Sequence, residues 1–203
     1  TKMTAPAVAT SDRIVDPNGD LPVTFADVEA ARTLVNGAVL RTPTLHAPRL
    51  SALTGADVYV KYENLQVTAS FKERGALVKL ARLTPEEARR GGAALAGGNH
   101  AQAVAYHGTR LKISTLIVMP ETTPQVKVAA TEAFGAEVVL FGETVADAFE
   151  EATRISKAQG RIFVHPYDDA DVIAGQGSLE LEMMEDGPAF DAVVVPIGGG
   201  GLI

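Results

Sequence analysis

Gly92-Ala-Ala-Leu-Ala-Gly-Gly-Asn-His-Ala-Gln-Ala-Val-Ala-Tyr-His-Gly-Thr-Arg-Leu-Lys-Ile-Ser-Thr-Leu-Ile-Val-Met119 is the stretch that decides the fold. A short run of small apolar residues, Ala93–Ala96, breaks at two glycines. Asn99–Leu111 then reads as a helix, and Thr115–Met119 as a second buried strand. The same strand-then-helix unit continues to the end of the chain. Further strands are expected at Glu137–Phe141, Ile162–Val164 and Ala192–Pro196, and further helices at Pro124–Phe134, Thr144–Gln159 and Asp169–Glu185. Gly135 and Gly160 sit where helices should stop, and Pro124 where one should start. Such alternation predicts right-handed crossovers and a mostly parallel sheet covered on both faces, an α/β fold.

Upstream the pattern is different. Residues 1–22 mix Thr, Ala, Pro, Asp and Gly without a period and read as a mobile tail. Thr24 is placed to cap a helix carrying Val28, Ala31, Leu34 and Val35, ending near Gly37. Leu40–Leu45, with Thr42-Pro43 inside it, reads as extended, and the alternation over Asp57–Glu63 is a strand signature.

Composition narrows the function. The 203 residues are 46% hydrophobic and 21% charged, ample for a core and wrong for a disordered chain. No apolar run approaches the roughly 18 residues of a membrane span. The formal charge of −7 is a poor start for gripping phosphate backbones, so no nucleic-acid partner is expected. Cysteine is absent, which removes disulfides, thiolate metal sites and a Cys nucleophile. With no signal-peptide pattern, the expectation is a cytoplasmic enzyme or binding domain.

Ligands of an open parallel sheet lie outside the carboxyl ends of its strands, and three segments carry chemistry suited to that place. In Thr68-Ala-Ser-Phe-Lys-Glu-Arg-Gly-Ala76, Ser70 and Glu73 have the spacing of a capping box, so a helix should begin at Ser70 with Leu77, Val78, Leu80 and Ala81 as its buried stripe. Lys72 then falls in the first turn, where the helix dipole disfavours an ammonium and burial would disfavour it further. A neutral amine is what Schiff-base chemistry requires; a solvated lysine is the ordinary alternative. At Gly97-Gly98-Asn99-His100 the glycines let a ligand approach the main chain, and the helix-start amides suit a carboxylate or an aromatic oxygen. A tight turn capped by Asn99 explains the same residues without a ligand. Gly198-Gly-Gly-Gly201 after a buried strand offers a concave set of N–H donors for an anion. It is not a P-loop, since no Lys-Ser/Thr follows, and a flexible loop is its alternative.

Taken together and in this order, the segments resemble the pyridoxal-phosphate enzymes of the tryptophan-synthase β (fold type II) group, in the threonine ammonia-lyase and serine racemase branch. The shared residues are Ser70-Phe-Lys-x-Arg-Gly-Ala76, Gly98-Asn-His-Ala-Gln102 and Gly198-Gly-Gly-Gly-Leu202. Val118-Met-Pro120, Gly135-Ala-Glu-Val138 and Ile173-Ala-Gly-Gln-Gly177 look like threonine dehydratase as well, and the resemblance covers about residues 38–203. It implies that Lys72 carries pyridoxal 5'-phosphate as a Schiff base, with Phe71 near the cofactor and Asn99 bonding its phenolic oxygen. Gly198, Gly199, Gly200, Gly201 and Leu202 would hold the phosphate, and Gly97, Gly98, Asn99 and His100 would meet the substrate.

The implied reaction is dehydration and deamination of L-threonine, L-serine or a related β-hydroxy amino acid to a 2-oxo acid and ammonia. β-Replacement, or cofactor binding without turnover, are the alternative readings. The resemblance also implies a homodimer or higher homo-oligomer built from two open parallel-sheet domains. Residues 23–91 with 169–203 would form part of a large cofactor-binding domain, and 92–168 a small domain. Relatives continue well past a glycine run, so the large domain is expected to be incomplete within these 203 residues.

Two departures are specific. Ala69 stands where the family usually has glycine in Thr-Gly-Ser-Phe-Lys. Ala96 and Gly97 stand where the family commonly has Ser-[Ala/Ser], removing a hydroxyl that helps bind the substrate carboxylate. Gly97 also cannot supply the serine acid–base of the racemases, which disfavours racemisation by that route.

Overall fold

A computed structural model describes residues 23–95 and 97–203. The expected tail over 1–22, and the last residue of the strand expected at Ala93–Ala96, lie outside the described residues. Four strands form the expected parallel sheet: β3 (Gly92–Leu95), β4 (Thr115–Met119), β5 (Glu137–Leu140) and β6 (Ile162–Phe163), in the order β5-β4-β3-β6. They are joined through α5 (Asn99–Leu111), α6 (Gln125–Ala133) and α7 (Val145–Gln159). The register sets Ala94 beside Ile117 and Leu95 beside Val118. Alternate residues therefore face opposite layers. Ala94, Ile117 and Met119 meet Ala101, Val104 and Ala105 of α5 and Val128 of α6. Leu95, Leu116 and Val118 meet Ala148, Ala152 and Ile155 of α7.

Helix boundaries follow local hydrogen-bond chemistry. Thr24 with Asp27 forms a capping box before α1 (Phe25–Val35), as Thr144 with Asp147 does before α7, and Gly160 closes α7 in the left-handed region. Two short helices, α2 (Pro48–Thr54) and α4 (Pro85–Arg90), begin with proline at their first positions and have too few turns to show a hydrophobic period. The alternation near Asp57–Glu63 becomes β2 (Tyr59–Lys61), paired antiparallel with β1 (Thr44–His46).

Three expectations are corrected. Ala192–Pro196 is not a strand: these residues form no ladder, and Val194 is 94% exposed. A strand is defined by a partner's backbone, and none of the described strands pairs with this segment. Only one parallel sheet is therefore present among the described residues. Second, the helix expected from Ser70 begins at Lys72, as α3 (Lys72–Ala81). Ser70 Oγ accepts the Lys72 N–H at 3.2 Å, while the Glu73 carboxylate accepts the Thr68 N–H rather than that of Ser70. Burial beside His107 draws Glu73 away, so the reciprocal box does not close. Third, Ala81 is exposed and Ala76 takes its place in the buried stripe.

α3 is clamped against α8 (Ala170–Asp186). At their crossing, a Cβ on Gly175 would come within 2.7 Å of the Gly75 Cα, so the two backbones touch. Gln176 Oε1 accepts the Gly75 N–H at 3.1 Å. Arg74 is fully buried and pairs with Glu63 and Glu182, each at 2.8 Å; Lys61 Nζ joins Glu182 at 2.6 Å. These contacts determine where Lys72 begins.

Candidate active site

The strand order reverses beside β3: the chain runs outward through β4 and β5, then returns to place β6 on the other side of β3. The crevice at such a switch point, beyond the carboxyl ends of the strands, is where this class of sheet takes ligands. The turn after β3 leads into Gly97-Gly98 and α5, and the turn after β6 is Val164-His165-Pro166-Tyr167.

Four of the sequence-predicted residues, Lys72, His100, Gly199 and Gly201, meet the second turn. Lys72 Nζ donates to the Pro166 carbonyl at 2.6 Å and lies 5.1 Å from the centre of the Phe71 ring. Burial holds the Lys72 amine below the ordinary lysine range. His100 is 4% exposed, and its Nε2–H donates to the Val164 carbonyl at 2.9 Å. Burial pushes its pKa down to about 4, so the ring is neutral and built into the wall.

Asn99 is exposed and caps nothing. Gly98 is the capping residue of α5, and no side chain bonds the first-turn amides among the described residues. The helix start is therefore free to accept a carboxylate or an aromatic oxygen.

The glycine run divides into two alternating roles. A Cβ on Gly199 would collide with the Tyr167 ring, and one on Gly201 would fall 2.7 Å from the Tyr167 carbonyl. Gly198 and Gly200 face open space, and Gly200 has a φ of +88°, where side chains are strained. Half of the glycines thus seat the loop on Tyr167 and half leave its other side bare. Leu202 and Phe71 line a groove of about 740 Å³ together with Tyr59, Leu179, Met183 and Val195.

Two residues of this site escaped the sequence reading. Tyr167 carried no motif, and only its position after a strand end could have marked it. Thr123, in the loop between β4 and α6, stands with its hydroxyl 3.5 Å from the place of a Cβ on Gly97. No hydrogen bond occupies that hydroxyl among the described residues. The signal available was β4 lying beside β3, which brings their following loops together.

Among the described residues, no three His, Asp or Glu side chains gather as a metal site. No helix among them is long and apolar enough to cross a membrane.

A parallel sheet with a half-buried lysine, a bare helix start and a glycine loop at its switch point defines a class, and the comparisons agree on which. Residues 35–203 match the family model "Pyridoxal-phosphate dependent enzyme", and the chain belongs to that family. It is 46% identical over 181 residues to L-threonine ammonia-lyase of Thermotoga maritima, covering 89% of this chain and 45% of that protein. It is 45% identical over 184 residues to the catabolic L-threonine dehydratase TdcB of Escherichia coli, covering 91% of this chain and 56% of that one. Among solved structures, serine racemase from Dictyostelium discoideum superposes with a TM-score of 0.83 at 35% identity, over 90% of this chain and 59% of that one. The chain spans about half the length of the curated relatives it matches.

The residues fit the family's cofactor. A half-buried amine whose pKa is lowered by burial suits an aldehyde, the uncapped α5 amides suit an oxygen anion, and the bare face of the glycine loop offers main-chain donors to a phosphate.

Proposed function

We propose that this chain carries the reactive half of a pyridoxal-phosphate lyase that dehydrates and deaminates a β-hydroxy amino acid, L-threonine or L-serine first among them. The observation that carries the reading is the convergence of Lys72, the α5 start and the glycine run on one turn at the switch point. Relatives named as threonine ammonia-lyase and threonine dehydratase, at 45–46% identity, support the substrate class. Residues 92–168 act as the small domain, and 23–91 with 169–203 belong to the larger one. The protein works as a cytoplasmic homo-oligomer.

Pyridoxal phosphate, when bound, supplies an electron sink for charge developing at the amino acid's Cα. The chain supplies the rest. Lys72 Nζ would hold the cofactor and, when free, would take the proton from the amino acid's Cα. Burial aids both tasks by lowering the amine's pKa and so easing loss of its proton. Asn99 and the α5 amides orient the ligand's oxygens, and Phe71 lines the way in. The amides of Gly198–Gly201, with Leu202, hold the phosphate. The Thr123 hydroxyl, beside Gly97, takes over the carboxylate contact that Ala96 and Gly97 have no side-chain oxygen to make. Loss of the β-hydroxyl as water, followed by hydrolysis, leaves a 2-oxo acid and ammonia.

The complete protein, incubated with L-threonine and with L-serine, is expected to release 2-oxobutanoate and pyruvate. Borohydride should add the cofactor's mass to Lys72, and Lys72→Ala should abolish both results. Thr123→Val should raise KM on the order of tenfold with kcat nearly unchanged, the cost of one hydrogen bond to a charged group. A cofactor-loaded protein that forms no oxo acid from any hydroxy amino acid would refute the lyase reading.

A further inference from the structure

The turn after β6 carries the site, yet it has no regular secondary structure of its own. Val164 accepts from His100, Pro166 accepts from Lys72, and Tyr167 underlies the glycine run. What shapes this turn is a single side chain. His165 Nδ1 accepts the Asp168 N–H at 2.8 Å and the Tyr167 N–H at 3.3 Å. Side-chain oxygens of Asp and Asn close turns by accepting from amides two and three residues on; here an imidazole nitrogen does so. The ring is held by Phe149 of α7 and Phe163 of β6, both at 6.0 Å between centroids, and by Tyr167 at 4.6 Å.

We propose that His165 is a positioning residue for the cofactor: its unprotonated Nδ1 sets the turn that presents the Lys72 amine and seats the glycine run. The role rests on the reading of Lys72 and the glycine run as the cofactor's site. It goes beyond that reading, because His165 belongs to none of the motifs that carried the resemblance.

The surroundings keep the ring neutral. Burial lowers its pKa below the ordinary 6.5, and the Lys72 charge does the same; Asp168 and Asp169 pull the other way. Besides the Tyr167 phenol, His100 is a further titratable neighbour, and it is neutral. From α7 and β6 only the Phe149 and Phe163 rings stack against it. A proton on Nδ1 would replace the acceptor with a donor and release both amides.

Two variants of the complete protein separate the acceptor from the ring. His165→Asn keeps an acceptor at the same reach and removes both the ring and its titration; His165→Phe keeps the ring and removes the acceptor. The measurements are pyridoxal-phosphate affinity between pH 5 and 8, and hydrogen exchange of the Tyr167 and Asp168 amides in the cofactor-free protein. Wild type should lose affinity as pH falls below 6.5 and His165 takes up its proton. His165→Asn should stay within about threefold of wild type at pH 8 and show a shallower acid limb. His165→Phe should bind at least tenfold more weakly throughout, with both amides exchanging faster.

Wild-type affinity and amide protection in His165→Phe would overturn the proposal, as would equal impairment of the two variants. Should His165→Phe fail to fold, an unchanged acid limb in His165→Asn would overturn it alone. None of these measurements needs turnover. A protein that binds the cofactor as described but forms no oxo acid would refute the lyase reading and leave this one standing.

Discussion

The two walls of the site are built differently. The start of α3, which carries Lys72, is gripped by Arg74 and its carboxylates, by Gln176, and by a glycine-to-glycine crossing with α8. The glycine run leans on one half-exposed side chain, Tyr167, and the segment before it lies open, with Val193, Val194 and Ile197 exposed. Under the proposed function Lys72 holds a covalent partner and moves a proton, tasks that gain from fixed placement. The proposed phosphate site on main-chain donors needs a bare backbone instead, which is expensive to order and easily displaced. Damage to the first wall should therefore appear as lost stability, and damage to the second as lost ligand.

The largest effect tests the first wall. Arg74→Met leaves the buried Glu63 without its cation and Glu182 with Lys61 alone, and should cost about 3–5 kcal/mol in urea unfolding. A cost below about 1 kcal/mol would show that the network is incidental.

Acid should act on the same region with a definite sign. His100 is neutral in the fold with its pKa near 4, below the ordinary 6.5, so its contribution is complete above pH 6.5 and is lost as pH falls toward about 4. The loss approaches ~3 kcal/mol, and His107 and His165, also lowered by burial, add in the same direction. Urea midpoints that stay level from pH 7 to 5 would contradict this.

Glycine substitutions draw the contrast directly. Gly175→Ala presses a methyl into the α3 backbone and should cost about 1–3 kcal/mol. Gly199→Ala presses on the Tyr167 ring in an exposed loop rather than on a packed helix, and should cost less than Gly175→Ala, about 1 kcal/mol at most, while weakening cofactor binding. Equal losses of stability in the two variants would erase the distinction between the walls.

The smallest expected effect is a gain. Ala69 has a φ of +55°, a left-handed conformation that costs an alanine and not a glycine. Ala69→Gly should stabilise by up to about 1 kcal/mol. Its Tm falling instead would mean that the methyl makes a contact worth more than the strain.

Much of this was legible in the residue order. α5 runs over Asn99–Leu111 and β4 over Thr115–Met119, as the periodicity predicts, because repeat, cap and turn chemistry act over a few residues. The Gly97 turn and the glycine run stand out as candidate sites in the same way, since consecutive glycines are costly unless a backbone conformation or close approach requires them. What was misread depended on partners far away. Glu73 looked like half of a capping box until His107 and Thr68 claimed it. Ala192–Pro196 looked like a strand, but the pairing that makes a strand lies in another segment. Tyr167 and Thr123 were invisible because neither lies in a run with its own pattern.

By itself, then, the sequence determined the layered α/β architecture, since periodicity suffices for that, and its motif order, through the family resemblance, singled out Lys72 as the candidate amine. Only the tertiary structure decided that the Pro166 carbonyl holds Lys72 from 94 positions away, that alternate glycines face Tyr167, and that His165 shapes the turn joining them. Contacts of that range are set by how helices and strands stack, and stacking is a property of the whole chain that no local stretch encodes.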